Sequence, residues 1–396
     1  MRYESILNPR VVSVPPSGIR KFFDIVQRMP DAISLGVGEP DFVTPWSIRD
    51  AAIQSIEEGR TQYTSNWGLL SLREKVSTYL KTRYEVEYDP KDEVLITVGA
   101  SEGIDLALRA LVCPGDEVLV PEPSYVSYAP CVTFAGGVSV PVPTRAQDCF
   151  ALRADALAAA ITPRTKALIL PYPNNPTGGV MDREQLLALA RVLEGTNVVV
   201  ISDEIYSELV YAGHRHTAFA SLPGMRERTV TLNGFSKAFA MTGWRVGYAC
   251  APRELLAPMF KLHQYTMLCA SIQGQTAAER ALTRAFETDY EDVRAMVRSY
   301  DRRRRLMVEG LNGMGLTCFE PRGAFYVFPS IASTGLGSEE FCTRLLASQK
   351  VACVPGTAFG ASAEGHIRCS YATSLEHLTE ALSRMRAFLD ELRAQM

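Results

Sequence analysis

Short, nearly unbroken apolar runs recur along the first two thirds of the chain and alternate with helix-like stretches. Such runs suit strands that are buried on both faces better than surface strands, whose polarity would alternate. Strands of this kind, separated by helices, predict a mostly parallel sheet covered by helices and therefore an α/β fold. The predicted strands are Val94–Val98, Glu117–Val120, Val138–Val140, Ala167–Leu170, Val198–Ile201, Thr229–Leu232 and Val246–Cys250.

Helices are predicted where apolar positions recur every three or four residues. The segments with this pattern are 19–29, 47–58, a helix with apolar positions at Leu72, Val76 and Leu80, Ile104–Leu111 after a small-residue turn at Gly99–Gly103, and Arg183–Leu193.

Beyond about residue 288 the order of elements changes. This part predicts a long charged helix to Asn312, strands at Leu316–Cys318 and Phe325–Phe328, a helix over Glu339–Ser348, a strand ending at Ile367–Ser370 and a closing helix over Leu375–Leu392. Because a chain of 396 residues exceeds the usual size of one core, we expect a large domain over 46–287 and a smaller α+β domain from 1–45 with 288–396.

The composition and charge of the chain argue against several classes of binding partner. Charged residues make up 21% of the chain and the net charge is −3, so no basic surface for nucleic acid is expected. The run Arg302–Arg305 lies in a helical pattern and is interpreted as a solvated helix face. No apolar run is long enough to span a bilayer, and the N-terminus lacks the apolar core of a signal peptide, so no membrane partner is expected.

Cysteine and histidine usage bears on compartment and metal. The 9 cysteines are scattered and contain no Cys-x-x-Cys pair, which predicts reduced thiols and a cytoplasmic protein. His214 and His216 lie close together, but no further ligand stands at a suitable spacing. We therefore expect no metal site.

Chemically distinctive residues follow the predicted strands. In parallel sheets, ligands bind at the carboxyl ends of the strands. Ser101, Tyr125, Asn175, Asp203 and Lys237 each lie just after a strand or in the loop that follows one. The turn before Ile104 also opens a helix, whose unpaired N–H groups favour an anion. The sequence thus predicts one rim with an anion site, an aromatic ring, an amide, a carboxylate and an amine.

Each of these residues alone also has a purely structural interpretation. Lys237 and Arg245 would be solvated charges between two strands, or else Lys237 is a buried amine with a lowered pKa, suited to Schiff-base chemistry. Asp203 would cap a helix. Asn175 would be a turn residue before a proline, and Tyr125 a core or rim aromatic.

Four motifs decide between these interpretations by their order and spacing. The chain resembles the class I/II aminotransferases, the fold-type-I pyridoxal-phosphate enzymes, and the resemblance extends from Gly38-Glu39-Pro40-Asp41 to Arg368. The motifs are Asn174-Asn175-Pro176-Thr177-Gly178, Asp203-Glu204-Ile205-Tyr206, Ser236-Lys237 and Gly243-Trp244-Arg245-Val246-Gly247.

The resemblance implies a role for each residue around pyridoxal 5′-phosphate. Lys237 would bond covalently to the cofactor's aldehyde and later carry a proton between Cα and C4′. Asp203 would keep the pyridine nitrogen protonated. Asn175 and Tyr206 would hydrogen-bond the phenolic oxygen, and Tyr125 would stack on the ring.

The same resemblance supplies the phosphate-binding residues. Arg245, the hydroxyl of Ser236 and the backbone amides of Ala100 and Ser101 would hold the phosphate. The family often has another serine where Gly234 stands, so that contact is expected to be missing or replaced.

Substrate and subunit contacts also follow from the resemblance. Arg368, with Gly38 and Asn175, would grip the α-carboxylate of the substrate. Tyr63 would reach the phosphate of a neighbouring subunit, which implies a homodimer with shared active sites.

The function implied is transamination between an L-amino acid and a 2-oxo acid by a ping-pong mechanism, with glutamate and 2-oxoglutarate as one pair. The segments 63–68 and 123–128 resemble the subgroup of aspartate, aromatic and N-acetyl-diaminopimelate aminotransferases. Two alternatives stay open: a pyridoxal-phosphate-dependent carbon–sulfur β-lyase of the same fold, and a non-enzymatic sensor of amine ligands.

Overall fold

A seven-stranded sheet forms the centre of the molecule. The computed structural model describes residues 6–16, 18, 29 and 31–395. The strands of the sheet are β2 (Val94–Thr97), β3 (Glu117–Glu122), β4 (Val138–Pro143), β5 (Thr165–Leu170), β6 (Val199–Asp203), β7 (Thr229–Gly234) and β8 (Gly247–Cys250). They lie in the order β2-β8-β7-β6-β5-β3-β4. Only β8 runs antiparallel to its neighbours, so the predicted mostly parallel α/β sheet is confirmed.

Helices cover both faces of this sheet, because successive residues of each buried strand point to opposite sides. The helices of this part are α1 (Pro9–Val12), α2 (Trp46–Glu57), α3 (Leu70–Tyr84), α4 (Gly99–Leu111), α5 (Tyr128–Ala135), α6 (Ala154–Ala160), α7 (Arg183–Leu193), α8 (Arg253–Thr266) and α9 (Ile272–Glu287). In β5, Ile169 joins the apolar cluster of α4, α5 and α8, whereas Leu168 joins the cluster of α6 and α7.

A second core lies beside the large sheet and is built mainly by the C-terminal third of the chain. The long helix α10 (Glu291–Gly313) and the closing helix α12 (Leu375–Gln395) pack on its strands with α11 (Ser338–Gln349). Its strands are β1 (Ile33–Ser34), β9 (Tyr326–Val327), β10 (Val351–Ala352), β11 (Val354–Pro355) and β12 (Ile367–Ser370). The order β11-β12-β9 is antiparallel, and β1 pairs with β10 in parallel.

Some local predictions are wrong. Leu316–Cys318 is not a strand, because the N–H of Cys318 donates to the side chain of Asn312 at 2.9 Å instead of joining a ladder. The turn predicted at Gly99–Gly103 is already the first turn of α4. The helix predicted over 19–29 lies almost entirely outside the described residues.

The arginine run of α10 is only half solvated, contrary to expectation. Arg303 and Arg304 are buried, whereas the residues on either side of them are exposed. Arg303 pairs with Asp41 at 2.8 Å, and Arg304 pairs with Glu320 at 2.6 Å. Arg304 also pairs with Asp301 one turn earlier in the helix, but Asp41 and Glu320 lie outside α10, so the run itself contains no sign of those two pairings.

Candidate active site

A cavity of about 980 Å³ opens where the carboxyl ends of the central strands meet the second core. It brings together nearly every residue that the sequence nominated. Those that line it are Gly38, Ala100, Ser101, Tyr125, Asn175, Asp203, Tyr206, Ser236, Lys237, Arg245 and Arg368. Tyr63 is the exception, since it does not line the cavity and its side chain is 82% exposed.

Lys237 lies in the turn after β7, with its amine inside the cavity. Its Nζ donates to the carbonyl oxygen of Gly38 at 2.6 Å and lies 5.6 Å from the ring centre of Tyr206. Burial lowers the pKa of Lys237 to about 8, against a partial opposing effect of Glu39. A sizeable neutral fraction is therefore available near neutral pH, which is the state that a nucleophile or proton acceptor needs.

Asp203 ends β6 and is held by two donors. Tyr128 donates its hydroxyl to Oδ2 at 2.8 Å, and the backbone N–H of Ile205 donates to Oδ1 at 3.2 Å. Burial raises the pKa of Asp203 to about 6, while both donors act to lower it. A turn follows the strand, so the alternative role as a helix cap does not apply. Sequence reasoning missed Tyr128, although it stands one helical turn after Tyr125.

An anion cup forms where α4 begins. Gly99, Ala100 and Ser101 make up the first turn of the helix, whose leading N–H groups have no intrahelical acceptor. A Cβ built on Gly99 would lie 2.5 Å from Nη2 of Arg245, so the guanidinium packs directly against this bare backbone. Arg245 has the left-handed φ of 52° and donates Nη1 to the carbonyl oxygen of Thr242 at 2.9 Å. A phosphate fits this combination of helix terminus and planar cation.

Gly234 explains the missing serine of the motif. A Cβ at this position would lie 2.8 Å from the Cα of Gly247 and 3.0 Å from the carbonyl oxygen of Val246. The tight antiparallel approach of β7 and β8 therefore leaves no room for a side chain. The hydroxyl on this side of the cup is that of Ser236, which lines the cavity.

Arg368 is a buried cation without a carboxylate partner. Its side chain is 2% exposed and takes part in none of the ion pairs recorded for the described chain. Nη1 donates to Oδ1 of Asn175 at 2.9 Å and Nη2 donates to the carbonyl oxygen of Gly36, whereas Nε has no partner among the described residues. Because an unpaired buried charge is costly, this arginine is prepared for an anion from outside the chain.

Asn175 and Tyr206 face the same cavity with groups still available. Since Asn175 uses its carbonyl oxygen on Arg368, its amide N–H₂ remains for a ligand. The hydroxyl of Tyr206 lies 2.9 Å from that of Tyr326, a residue that sequence analysis had treated only as part of a strand. Burial raises the pKa of Tyr206 well above its ordinary value, so it stays protonated.

The side chains together suit a phosphorylated pyridine aldehyde. An amine for the aldehyde, a carboxylate for the ring nitrogen and a cup for the phosphate all lie in one cavity. Within the described part of the chain, no group of three His, Cys, Asp or Glu side chains could hold a metal ion. No helix of that part is long and apolar enough to cross a membrane.

Comparisons with known proteins agree with this arrangement. The family model for class I and II aminotransferases matches residues 30–385. The chain is 46% identical to an aspartate aminotransferase of Pyrococcus abyssi over 385 residues, which cover 97% of this chain and 98% of that protein. It is 44% identical to an aromatic-amino-acid aminotransferase of Thermococcus litoralis over the same length and shares of the two chains. The structure of a Thermus thermophilus aspartate aminotransferase with maleate superimposes with a TM-score of 0.91 at 39% identity, covering 96% of this chain and 99% of that one.

Proposed function

The chain belongs to the class I and II aminotransferases, enzymes that depend on pyridoxal 5′-phosphate, and we propose that its active site is the cavity around Lys237. The enzyme is an aminotransferase, and its relatives do not favour a β-lyase or a sensor. The observation that best supports the location is the meeting of the half-buried Lys237 with the buried Asp203 and Arg368 in one cavity, each outside the ion pairs recorded for the described chain.

The substrate would be held first by its α-carboxylate. When bound, the cofactor supplies the carbonyl carbon that receives the amino nitrogen and a ring that withdraws electrons from Cα. Arg368 would bind the carboxylate with the N–H groups that it does not use on Asn175 and Gly36, while those two contacts keep the guanidinium in place. The backbone of Gly38, which lines the same cavity as Arg368, would complete the substrate contacts. Such a clamp fixes which bond at Cα faces the catalytic amine.

Lys237 would serve as the proton carrier of the reaction. Its neutral amine accepts the proton from the substrate Cα, and the carbonyl oxygen of Gly38 orients Nζ toward the cavity. Asp203 stays ionised beside the ring nitrogen because Tyr128 and the N–H of Ile205 donate to it. Tyr125 would stack on the cofactor ring.

The remaining polar groups would anchor the cofactor. Arg245, Ser236 and the amides of Ala100 and Ser101 hold the phosphate at the start of α4. The amide of Asn175 and the hydroxyl of Tyr206 donate to the phenolic oxygen.

The reaction would run as a ping-pong cycle in which glutamate and 2-oxoglutarate form one pair. The part of the cavity formed by α5 and the N-terminal segment has apolar lining residues, including Val14, Pro15, Pro130 and Phe134. Such a wall suits an aromatic or aliphatic side chain on the second substrate. It agrees with the aromatic substrate in the name of the Thermococcus relative.

The active unit would be a homodimer with shared sites. Tyr63 is 82% exposed, and Trp46 and Tyr265 are exposed at 60% and 84%. A subunit interface would cover such large aromatic side chains. In such a dimer Tyr63 would contact the phosphate in the other subunit, and a Tyr63→Phe variant would bind the cofactor more weakly without losing the dimer.

Domain boundaries and compartment complete the proposal. We assign 46–287 to the large domain and 1–45 with 288–396 to the small domain, since most residues of the second core come from Leu35 and from the chain beyond residue 288. The cytoplasm suits a protein whose cysteines, several of them exposed or half-buried, are all free thiols.

A donor screen tests the proposed site and its chemistry together. The purified enzyme should have a visible absorbance band that changes when an accepted amino acid is added, and Lys237→Ala should lack that band. Formation of 2-oxo acid should depend on 2-oxoglutarate. Pyruvate release from cystathionine without transamination, or an unchanged band in Lys237→Ala, would contradict the proposal.

A further inference from the structure

Tyr326 lies at the junction of the two cores and has no role in the functions described so far. It belongs to β9, where it pairs with Ser370 of β12, two residues after Arg368. Its side chain is 0% exposed to solvent, yet the residue lines the cavity. A buried hydroxyl at a cavity wall needs a hydrogen-bond partner. The identity of that partner indicates the role of Tyr326.

Three neighbours surround this phenol. The hydroxyl of Tyr206 lies 2.9 Å from that of Tyr326. The guanidinium carbon of Arg368 lies 4.5 Å from the ring centre. A Cβ on Gly38 would lie 2.8 Å from the hydroxyl oxygen, so the glycine leaves the space that this oxygen occupies. Tyr326 thus contacts the groups proposed to bind the substrate carboxylate and the cofactor.

The number of protons available determines which of the two hydroxyls donates the hydrogen bond between them. Each phenol has one O–H to donate and can also accept. Tyr206 has to donate to the phenolic oxygen of the cofactor if it is to act as proposed above. Its own oxygen then accepts, and the donor has to be Tyr326. Burial raises the pKa of both tyrosines, so both remain protonated donors.

Arg368 favours Tyr326 as the donor in the hydrogen bond between Tyr326 and Tyr206. A cation over an aromatic face stabilises the electron density that a phenol gains when its proton is shared. Arg368 acts in that sense on Tyr326, opposing the effect of burial on its pKa. A hydroxyl that accepts one hydrogen bond also becomes a stronger donor in the next. The ionisable groups that face the pair include Arg368, Tyr125 and Lys237.

We propose that Tyr326 is a positioning residue that donates its hydroxyl to Tyr206 and thereby directs and strengthens the Tyr206 hydrogen bond to the phenolic oxygen of the cofactor. This inference rests on the proposed role of Tyr206. The cofactor contact of Tyr206 is then supported by the same arginine that receives the substrate carboxylate.

The test is a pH titration of the visible absorbance band of the holoenzyme. A donor to the phenolic oxygen stabilises its negative charge and weakens the hold on the proton of the nitrogen that joins Lys237 to the cofactor. Removing the donor therefore raises the pH midpoint of the band. We expect Tyr206→Phe to raise it by about one unit, the value of one hydrogen bond. Tyr326→Phe should raise it by roughly 0.3 unit, since it weakens that bond without removing it.

The double variant gives the sharper result. Tyr206→Phe with Tyr326→Phe should have the same midpoint as Tyr206→Phe alone, because Tyr326 acts only through Tyr206. The KM for the amino donor should stay within about twofold in Tyr326→Phe, because the ring beside Arg368 is retained, while kcat falls. Gly38→Ala, whose methyl group would displace the hydroxyl, should shift the midpoint upward as well.

Tyr371→Phe is the matched control. Tyr371 is also 0% exposed and packs in the same core, but its hydroxyl donates to the carbonyl oxygen of Ala324 at 3.2 Å and does not line the cavity. Its midpoint should not move. A shift in Tyr206→Phe with none, or a downward one, in Tyr326→Phe overturns this inference. An unchanged midpoint in Tyr206→Phe overturns instead the role proposed for Tyr206.

Discussion

Two buried arginines on either side of the second core show opposite ways of placing a charge. Arg304 in α10 has a 3% exposed side chain and contacts the carboxylates of Asp301 and Glu320. Arg368 in β12 is equally buried, but it donates to an amide oxygen and a backbone carbonyl oxygen and lies beside aromatic rings instead of carboxylates. Burial is the same, so the difference lies in the missing counter-charge. A buried cation whose charge is matched stabilises the fold, whereas an unmatched one stores binding energy for a ligand.

The same contrast between paired and unpaired charges holds for the other charged residues of α10 and of the cavity. Arg303, beside Arg304, pairs with Asp41. In the cavity, Lys237 and Asp203 take part in none of the ion pairs recorded within residues 6–16, 18, 29 and 31–395. The cavity is therefore the place where the chain sacrifices stability for function, and α10 is a place where it does not.

The largest effect is expected from removing the unmatched arginine. Arg368→Leu should lower kcat/KM for the amino donor by about 10³-fold, because a charge-assisted carboxylate clamp is lost. The melting temperature should stay equal or rise, since a buried charge without a counter-ion is removed. Cofactor binding, followed by the visible band, should persist. Loss of folding together with activity would show that Arg368 is structural like Arg304.

Arg304→Leu is the counterpart and should have the opposite profile. We expect a loss of about 1–3 kcal/mol in the free energy of unfolding, less than for a fully buried pair because the abandoned carboxylates can reach solvent. Glu320 is 56% exposed and Asp301 26% exposed, which limits the cost of leaving them alone. Denaturant unfolding measures the loss. Steady-state kinetics should show kcat/KM within about twofold of the parent enzyme, since distant buried pairs affect the site little.

The sequence predicts features that have a local signal, but it does not predict contacts between distant elements. Buried strands and the helix Arg183–Leu193 were predictable because their signals are local, and the helix even begins at an Asp182–Gln185 capping box. The cavity residues were predictable because they belong to motifs whose order and spacing resemble those of a known family. The pairing of Arg304, the hydroxyl bridge to Tyr326 and the support of Asp203 by Tyr128 join residues from separate elements. No local pattern contains such contacts.

Replacement of Lys237 tests whether the charged groups of the cavity lower the stability of the folded protein. The pKa of Lys237 falls from 10.5 to about 8 on burial, so the unfolded chain binds more protons between these values and stability rises with pH there. Cofactor-free Lys237→Met should therefore be more stable than the cofactor-free parent at pH 7, by about 1–2 kcal/mol. This gain should shrink as the pH rises through 8 toward 10.5.

A matched control for this prediction is Lys261→Met. Lys261 is an exposed residue of α8, so its replacement should change the free energy of unfolding little at either pH. Denaturant unfolding at pH 7 and near pH 9.5 compares the variants. A Lys237→Met gain that does not depend on pH would mean that the added apolar packing, and not the removed charge, is responsible.

The smallest expected effect concerns the carboxylate of the cavity. Asp203 can hold a protonated ring nitrogen only while ionised, and its pKa of about 6 is the result of burial opposed by the Tyr128 hydrogen bond. The affinity of the cofactor-free enzyme for the cofactor should fall as the pH drops through this value. Tyr128→Phe removes the donor, raises the pKa of Asp203 and should move the midpoint of cofactor binding upward by roughly 0.5–1 pH unit. Tyr172→Phe, which removes a buried hydroxyl bonded to the carbonyl oxygen of Phe150, should leave it unchanged. A midpoint that stays in place in Tyr128→Phe would mean that the Tyr128 hydrogen bond does not determine the charge of Asp203.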